Sequence, residues 1–324
     1  MTDVRQTPVH ALLTDGTTVR IRRADYRDRD AVRRLYEEMS PENLRLRFFT
    51  VGRASAAQAA ERVAGAGPAR PGYCALVAER ADRIVGLAEY ETVPPGTTAE
   101  ISLAVAEGWH DRGVATLLVE HLADAARTAG VTAFTADVLA DNHELRAVFR
   151  DLGLRALPRC DGPEVSWTVH LTEDEGYLSA VDTRARTAGV VSLRPLLRPH
   201  SVAVIGAGRE PGSLGRAILR NICRGSFRGR VFAVHPEVSS ISGVHAYPSV
   251  TALPEAPDLA VVAVPGPAVP QVAEECGKAG VRALLVVSGG LDAHQAGALM
   301  GACRRYDMRL AGPECLGVAN TEES

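Results

Sequence analysis

Residues 99–118 read AEISLAVAEGWHDRGVATLL, and this stretch decides how the first half of the chain is interpreted. Glu100–Val105 has the pattern of a short strand, and an apolar-striped helix begins at Val114. Between them, Gly113 and Ala115 are small enough for main-chain N–H groups to approach an anion closely. The new helix directs its positive end at the same point. The stretch therefore predicts a strand–turn–helix unit that suits a diphosphate, although an ordinary turn with a glycine at the helix start fits these residues as well.

Strand and helix patterns alternate on both sides of this unit. A polar segment without a strand pattern follows at 172–189 and favours a linker, with a short surface helix as the alternative. We therefore expect a first domain over 1–171 and a linker over 172–192. The predicted strands are 18–22, 73–79, 83–92, 100–105, 133–139 and 165–171, and the predicted helices are 28–39, 114–129 and 143–152.

The second half of the chain has a different texture. Its apolar runs of Val, Ile and Leu are unbroken, which is typical of strands buried on both faces of a parallel sheet. Helical segments separate these runs, so we predict an α/β, doubly wound, Rossmann-like domain over 193–324. The predicted strands are 202–205, 231–234, 259–264, 283–287 and 309–311, with helices over 214–224, 268–279 and 293–306.

Composition narrows the class of protein. The 324 residues are 46% hydrophobic and carry a net charge of −3, so nothing indicates a nucleic-acid partner. No apolar run is long enough to cross a bilayer, and no secretory signal opens the chain, so we expect a cytoplasmic protein without a membrane partner. The six cysteines contain no CxxC and no nearby histidine pair, so we expect no metal site.

The turn at His110–Ala115 reads HDRGVA and resembles the Q/R-x-x-G-x-G/A motif of the GNAT acetyltransferase superfamily. The block from Asn142 through Phe149 to Gly153 resembles the segment after the fifth strand of the same superfamily. The resemblance covers about residues 15–171. It implies a GNAT fold, with a mixed, mostly antiparallel sheet whose central strands splay, and acetyl-CoA as cofactor. The cofactor-binding positions that it implies are Leu103, Val105, His110, Asp111, Arg112, Gly113, Val114, Ala115, Thr116, Asn142 and Phe149.

Transfer to an amine needs a base, since a lysine side chain is an ammonium ion at neutral pH. Glu100 lies where many protein-acetylating members of this superfamily place a general-base glutamate, and Glu89 is the alternative. A surface carboxylate at the start of a strand is the other interpretation of Glu100. Phe149 stands where many relatives have a tyrosine that protonates the leaving thiolate. Phenylalanine cannot donate a proton, so here either water protonates the thiolate or the thiolate leaves without assistance. Asn142 fits a helix cap as well as a cofactor contact.

Residues 40–49 read SPENLRLRFF and resemble the opening segment of a subgroup of protein lysine acetyltransferases that act on acyl-CoA synthetases. The resemblance implies a protein substrate of the acyl-CoA synthetase type. A structural interpretation is that Leu44, Leu46, Phe48 and Phe49 form a buried helix end or a strand.

Residues 201–215 read SVAVIGAGREPGSLG, a glycine loop after an apolar strand. NAD is disfavoured, because the third glycine of the dinucleotide motif is displaced and no acidic residue ends the second strand. The whole of 193–324 instead resembles the CoA-binding domain of ADP-forming acyl-CoA synthetases and of the succinyl-CoA synthetase alpha subunit. Glu314 departs from this pattern, since the family has asparagine in that stretch. The resemblance implies CoA or acyl-CoA bound at Gly206, Ala207, Gly208, Gly212 and Gly215.

The fusion resembles bacterial protein acetyltransferases that silence acetyl-CoA synthetase. We therefore expect an acetyl-CoA-dependent N-acetyltransferase for protein lysine, with the second domain a regulatory CoA sensor. The sequence contains neither the phosphohistidine domain nor the ATP-grasp domain of the ligases, so ATP-dependent thioester synthesis is not expected. Two alternatives remain: a non-catalytic CoA-binding sensor, and an acetyltransferase for small amines.

Overall fold

A computed structural model describes residues 7–48, 53–65, 70–94, 96–161, 164–208, 212–225, 227–237 and 239–320. Phe49 and residues 209–211 of the glycine loop lie outside these ranges. The chain divides into two compact units, Met1–Gly189 and Val190–Ser324.

The first unit is a mixed α/β structure. Its described strands form one sheet in the order β1-β2-β3-β4-β5-β6-β8-β7, which is antiparallel except where β5 meets β6. The strands are β1 (Val9–Leu12), β2 (Thr18–Arg23), β3 (Tyr73–Arg80), β4 (Arg83–Val93), β5 (Thr98–Val105), β6 (Ala133–Leu139), β7 (Ala156–Asp161) and β8 (Glu164–His170). The helices are α1 (Arg29–Glu37), α2 (Pro41–Phe48), α3 (Arg53–Ala64), α4 (Val114–Thr128) and α5 (His143–Leu152).

Helices cover both faces of this sheet, and two apolar cores result. Leu76 on β3 packs into the core that contains α4 and α5, while the next residue, Val77, packs into the core formed with α1 and α3. Successive strand residues point to opposite faces, so the unbroken apolar run of β3 supplies both cores. The GNAT-type mixed sheet predicted from sequence is confirmed.

Three described elements of the first unit were not predicted, namely β1, α3 and β7, while α2 covers a segment for which the sequence allowed either a buried helix end or a strand. Helix α3 reads RASAAQAAERVA, in which alanine gives strong helix propensity but little contrast between an apolar and a polar face. Strand β1 has four residues and, among the strands that the structure describes, pairs only with β2. Short edge strands and alanine-rich helices carry weak periodicity, so pattern analysis passes over them.

Helix α6 (Glu175–Leu197) occupies the segment that the sequence interpretation assigns to a linker. The Asp174 carboxylate accepts a hydrogen bond of 2.9 Å from the Tyr177 N–H and so caps the start of the helix. Tyr177 is buried in the core of the first unit. The polar composition of 172–189 therefore reflects a largely exposed helix rather than an irregular segment.

The second unit is a doubly wound sheet, as predicted. Its order is β11-β12-β10-β9-β13-β14-β15, and all described pairings are parallel except the one between β11 and β12. Helices α8 and α9 pack on one face and α7 on the other. The elements are β9 (Ser201–Ile205), α7 (Leu214–Arg224), β10 (Arg230–Val234), β11 (Ser240–Ile241), β12 (Val244–Tyr247), β13 (Leu259–Val262), α8 (Val269–Lys278), β14 (Ala283–Val286), α9 (Ala293–Tyr306) and β15 (Arg309–Ala311).

Among the described residues, no helix combines the length and the apolar character that crossing a bilayer requires.

Candidate functional site

The strands β5 and β6 separate in the middle of the first sheet. Their parallel pairing in the described residues covers only Thr98 with Ala133, Ala99 with Phe134, and Glu100 with Thr135. Beyond Glu100, β5 remains paired with β4 on its other side as far as Val105. The edge of β5 that faces β6 is therefore open after Glu100, and both strands line the cleft between them. An open strand edge offers main-chain donors and acceptors to an extended ligand.

Helix α4 begins at the end of this cleft. Gly113 precedes its first residue with φ +86°, a left-handed conformation that glycine adopts without strain. In the described part of the chain, no side chain caps this helix end, and its first turn contains no acidic residue. The first N–H groups of a helix have no partner within the helix and carry partial positive charge. This end of α4 is therefore suited to an anion such as a diphosphate.

Most of the residues predicted for the site come together here. His110 and Ala115 line both the part of the cleft between the strands and the part beside α4, which makes the cleft continuous. The strand part also contains Glu100, Leu103, Val105 and Asn142, and the part beside α4 contains Asp111, Gly113, Val114 and Thr116.

Two predicted residues lie apart from this lining. Phe149 is 1% exposed and packs in the core, with its ring centroid 5.6 Å from that of Trp167. The Arg112 guanidinium lies over the Trp109 ring, and its Nε donates a 2.8 Å hydrogen bond to Asp15. Arg112 therefore ties the turn before α4 to the β1–β2 hairpin, which the motif alone does not indicate.

Asn142 lines the cleft and also caps a helix. Its side-chain oxygen accepts a 3.0 Å hydrogen bond from the Leu145 N–H at the start of α5. The side-chain oxygen of Asn142 is thus used to cap the helix, and this capping role explains why an asparagine stands at this position.

The two candidate bases have very different surroundings. Glu100 is exposed at the point where β5 and β6 separate. Glu89 is 4% exposed, and its carboxylate accepts hydrogen bonds from Arg47 (3.0 Å), Arg62 (2.5 Å), Tyr73 (2.5 Å) and Ser102 (2.8 Å). Burial alone would raise the pKa of Glu89, but the charges of Arg47 and Arg62 and the hydrogen bonds outweigh it and hold this pKa below its ordinary value. Such a carboxylate is a weak proton acceptor with little room for a further partner.

The structure adds cleft residues that the sequence interpretation did not assign. Arg47 and Asn43, both on α2, line the cleft together with Ser102 of β5. The Arg47 guanidinium donates a 2.7 Å hydrogen bond to the Ser102 hydroxyl. Ser102 was within reach of pattern analysis, because it lies two residues after Glu100 on the same face of β5. Arg47 was not, because the sequence left open whether this segment forms a helix end or a strand.

In the second unit, the glycines after β9 permit close packing. Gly206 has φ +87°, and a side chain there would lie 2.6 Å from the Ala263 carbonyl oxygen. A side chain on Gly215, in the first turn of α7, would lie 2.5 Å from the Gly206 carbonyl oxygen. Ala207 is fully buried, whereas Gly212 has open space around it. Gly206 and Gly215 thus allow α7 to approach the sheet, which leaves Gly208 and Gly212 as the predicted positions with room beside them.

Among the described residues, no three side chains of the metal-binding types lie close enough together to hold an ion.

Comparison with known proteins gives two matches along the chain. Residues 30–154 match the model of the acetyltransferase (GNAT) family, and residues 200–321 match the model of the CoA binding domain. Among solved structures, the GNAT domain of S. lividans PAT is 26% identical with a TM-score of 0.47, covering 50% of this chain and 96% of that domain.

Two curated relatives are ADP-forming ligases. The ADP-forming acetate–CoA ligase I of Archaeoglobus fulgidus is 42% identical over 133 residues, which cover 39% of this chain and 19% of the ligase. The alpha subunit of the corresponding Pyrococcus furiosus enzyme is 37% identical over 141 residues, covering 40% of this chain and 30% of the subunit. The chain thus spans less than a third of the length of these relatives. The chain is therefore similar to the acetyltransferase (GNAT) family over residues 30–154 and to the CoA binding domain over residues 200–321.

Proposed function

We propose that the protein is an acetyl-CoA-dependent N-acetyltransferase for protein lysine, with Glu100 as the general base. The observation that carries this proposal is the exposed carboxylate of Glu100 at the point where β5 and β6 separate, in the cleft that leads to the uncapped end of α4. Direct transfer of an acetyl group to an amine has two requirements. The acetyl donor must be held along the cleft, and a base must lie at the opposite end of the cleft from the helix.

The cofactor suits the cleft in two respects. Main-chain N–H groups at the start of α4 fit the diphosphate of CoA, and the open edge of β5 at Leu103 and Val105 fits the amide groups of the pantetheine arm. Bound acetyl-CoA supplies an activated acetyl group as a thioester. Asp111, Gly113 and Ala115 form the turn that receives the diphosphate, and His110 lies between the turn and the strands.

Glu100 takes a proton from the ammonium group of the incoming lysine. The neutral amine nitrogen would then attack the thioester carbonyl carbon, so that a C–N bond forms, the C–S bond breaks and CoA leaves as the thiolate, while the nitrogen gives up its second proton to water. A proton from water neutralises the thiolate, because Phe149 carries no acidic proton and lies buried in the core. A thiol has a pKa of about 8.5, so its thiolate is a fair leaving group. Glu89 is disfavoured as the base because its carboxylate is already occupied by two arginines and two hydroxyl groups.

The acceptor is proposed to be an acyl-CoA synthetase. The support is the resemblance of residues 40–49 to the segment of protein lysine acetyltransferases described above. Lys278 is the only lysine in the chain, so self-acetylation has a single possible side-chain target.

Transfer can be tested with purified acyl-CoA synthetases, acetyl-CoA and mass spectrometry of the acceptor. Glu100→Gln should lower the rate by about 100-fold or more, the usual contribution of a general base, while acetyl-CoA still binds. Glu91→Gln is the matched control, because Glu91 lies directly opposite Glu100 on β4 but is paired with Arg70. Equal, measurable rates for wild type and Glu100→Gln would exclude Glu100 as the base, whereas acetyl-CoA binding without any transfer by wild type would favour the non-catalytic CoA sensor. Acetylation of small amines but of no synthetase would favour the small-amine acetyltransferase.

The second unit is proposed to bind CoA or acyl-CoA and to regulate transfer. A ligand there changes activity only if it binds two conformations of the protein with different affinity. Calorimetric titration of CoA into the full chain should resolve a second site that Gly208→Val weakens without affecting the first. Binding at one site only, unaffected by Gly208→Val, would exclude the second unit as a CoA sensor.

A further inference from the structure

His110 connects the two walls of the cleft in the first unit. Its Nδ1 lies 2.9 Å from a Glu144 carboxylate oxygen on α5, and its Nε2 lies 3.3 Å from the Asn43 side-chain nitrogen on α2. All three residues line the cleft. The imidazole therefore bridges α5 and α2 at the place where the strand part of the cleft meets the part beside α4.

The proton position on His110 follows from Asn43 and Glu107. The Asn43 side-chain nitrogen donates a 2.6 Å hydrogen bond to Glu107 Oε1, which also accepts from the Ser40 N–H at 2.9 Å. The bond from the Ser40 N–H, together with the Asn43 amide, lowers the pKa of Glu107, so this carboxylate is ionised and can only accept. The NH₂ group of Asn43 must therefore face Glu107, and the same nitrogen faces His110.

A nitrogen that donates requires an acceptor. His110 Nε2 must then carry a lone pair, and the single proton of the neutral imidazole lies on Nδ1, where it is donated to Glu144. Only the neutral ring with this tautomer satisfies both contacts.

Helix α2 also lines the cleft that contains Glu100. One helical turn after Asn43, the Arg47 guanidinium donates a hydrogen bond to the Ser102 hydroxyl. Ser102 lies two residues after Glu100 on β5. A shift of α2 would therefore change the space into which an acceptor amine must enter.

We infer that neutral His110 is a positioning residue that holds α2 in place as the acceptor-side wall of the cleft. This inference rests on the proposed acetyl transfer and adds to it: His110 acts on the acceptor as well as lying beside the cofactor. The residue does not touch the reacting atoms; it acts through Asn43 and α2.

Protonation of the His110 ring would remove the hydrogen bond from Asn43. A protonated ring presents an N–H at Nε2, which would face the NH₂ group of Asn43, and two donors cannot bond each other. Turning the Asn43 amide around would restore this contact but lose the bond to Glu107. The charged groups that face the ring are Glu144 on α5 and Glu107 in the turn after β5.

The test compares His110→Ala, His110→Gln and Asn43→Ala in the full-length chain. Loss of one such hydrogen bond corresponds to about fivefold in an equilibrium constant. His110→Ala and Asn43→Ala should each raise the acceptor KM about fivefold, and the double variant should show no further increase. Glutamine can accept from Asn43 and donate to Glu144. His110→Gln should therefore restore most of the loss in acceptor KM.

Amide hydrogen exchange of residues 41–48 gives a second readout that needs no activity. His110→Ala should speed exchange in α2, His110→Gln should not, and His10→Ala, an exposed histidine on β1, should match wild type. A His110→Gln variant that behaves like His110→Ala in KM and exchange would overturn the inference, as would unchanged exchange in His110→Ala. If wild type acetylates no amine, the proposed function fails, and the exchange comparison still decides the role of His110.

Discussion

Glu89 and Ser102 lie directly opposite each other on β4 and β5, and the Ser102 hydroxyl donates a 2.8 Å hydrogen bond to the buried Glu89 carboxylate. Arg47 of α2 and Arg62 of α3 bind the same carboxylate oxygen. One buried side chain thus connects two helices to the strand that borders the cleft. A buried carboxylate with this set of partners holds the surrounding elements in a defined arrangement, and its removal leaves the arginines without their counter-ion.

Glu89→Gln should therefore destabilise the first unit. Removing one partner of a buried ion pair costs about 3 kcal/mol, because the remaining charge is buried without compensation. Thermal or urea denaturation of the variant measures this loss. Glu91→Gln is the control: Glu91 and Arg70 are both more than a third exposed, so its loss should cost less than about 1 kcal/mol. A Glu89→Gln variant as stable as Glu91→Gln would contradict the role given to Glu89.

The contribution of Glu89 to stability should depend on pH. Its pKa in the folded protein lies below its ordinary value of 4.5, so the stabilisation is complete above about pH 4.5 and is lost as the pH falls through the folded pKa. The difference in unfolding free energy between wild type and Glu89→Gln should therefore be constant at neutral pH and shrink below about pH 4.5. Parallel denaturation curves at several pH values measure it. A difference that grows as the pH falls would reverse the sign of the pKa shift.

Gly113→Ala should weaken acetyl-CoA binding about tenfold, or about 1.4 kcal/mol. The added methyl group would force an alanine into φ +86° and lie 3.3 Å from the Thr14 methyl group, beside the first N–H groups of α4. Gly108→Ala is a matched control, because Gly108 also has a positive φ of +77° but has open space around it. Both variants should lose about 1 kcal/mol of stability to backbone strain. Only Gly113→Ala should change the Kd for acetyl-CoA in calorimetry, and an equal change in both would argue against a diphosphate at this turn.

Gly215→Ala should destabilise the second unit by about 2 kcal/mol, a usual cost of overpacking. Its new methyl group would lie 2.5 Å from the Gly206 carbonyl oxygen, so α7 would have to move away from the sheet. Gly212→Ala, in the same loop with open space around it, should leave stability within about 0.5 kcal/mol of wild type. The stability of the second unit in both variants can be measured by following amide hydrogen exchange in β9 during denaturation. Equal stability of the two would mean that the loop is not as tightly packed as described.

Local patterns predicted most of the elements that carry the site. The turn around Gly113, the helix α4 and the unbroken strands of the second unit depend on short-range signals: glycine, apolar periodicity and runs of β-branched residues. The sequence left the α2 segment, PENLRLRF, undecided between a helix end and a strand, because it has no continuous apolar stripe. Arg47 and Asn43 on α2 were consequently not assigned to the cleft.

Residue type and motif position did not determine the surroundings of individual side chains. Glu89 and Glu100 are both glutamates on neighbouring strands, and the sequence kept both as candidate bases. The tertiary structure separates them, because Arg47 and Arg62 come from helices distant in sequence and surround Glu89 alone. Phe149 was placed near the cofactor by its motif position, yet it packs in the core.

The amino-acid sequence by itself determined the two-part organisation, the GNAT-type and Rossmann-type sheets, and the turn before α4, since these follow from periodicity and from small residues at fixed spacing. Only the tertiary structure decided which carboxylate is accessible, where β5 leaves β6, and which side chains face the two ring nitrogens of His110. Those properties depend on contacts between residues far apart in the chain, such as His110 with Asn43, and no local pattern records such contacts.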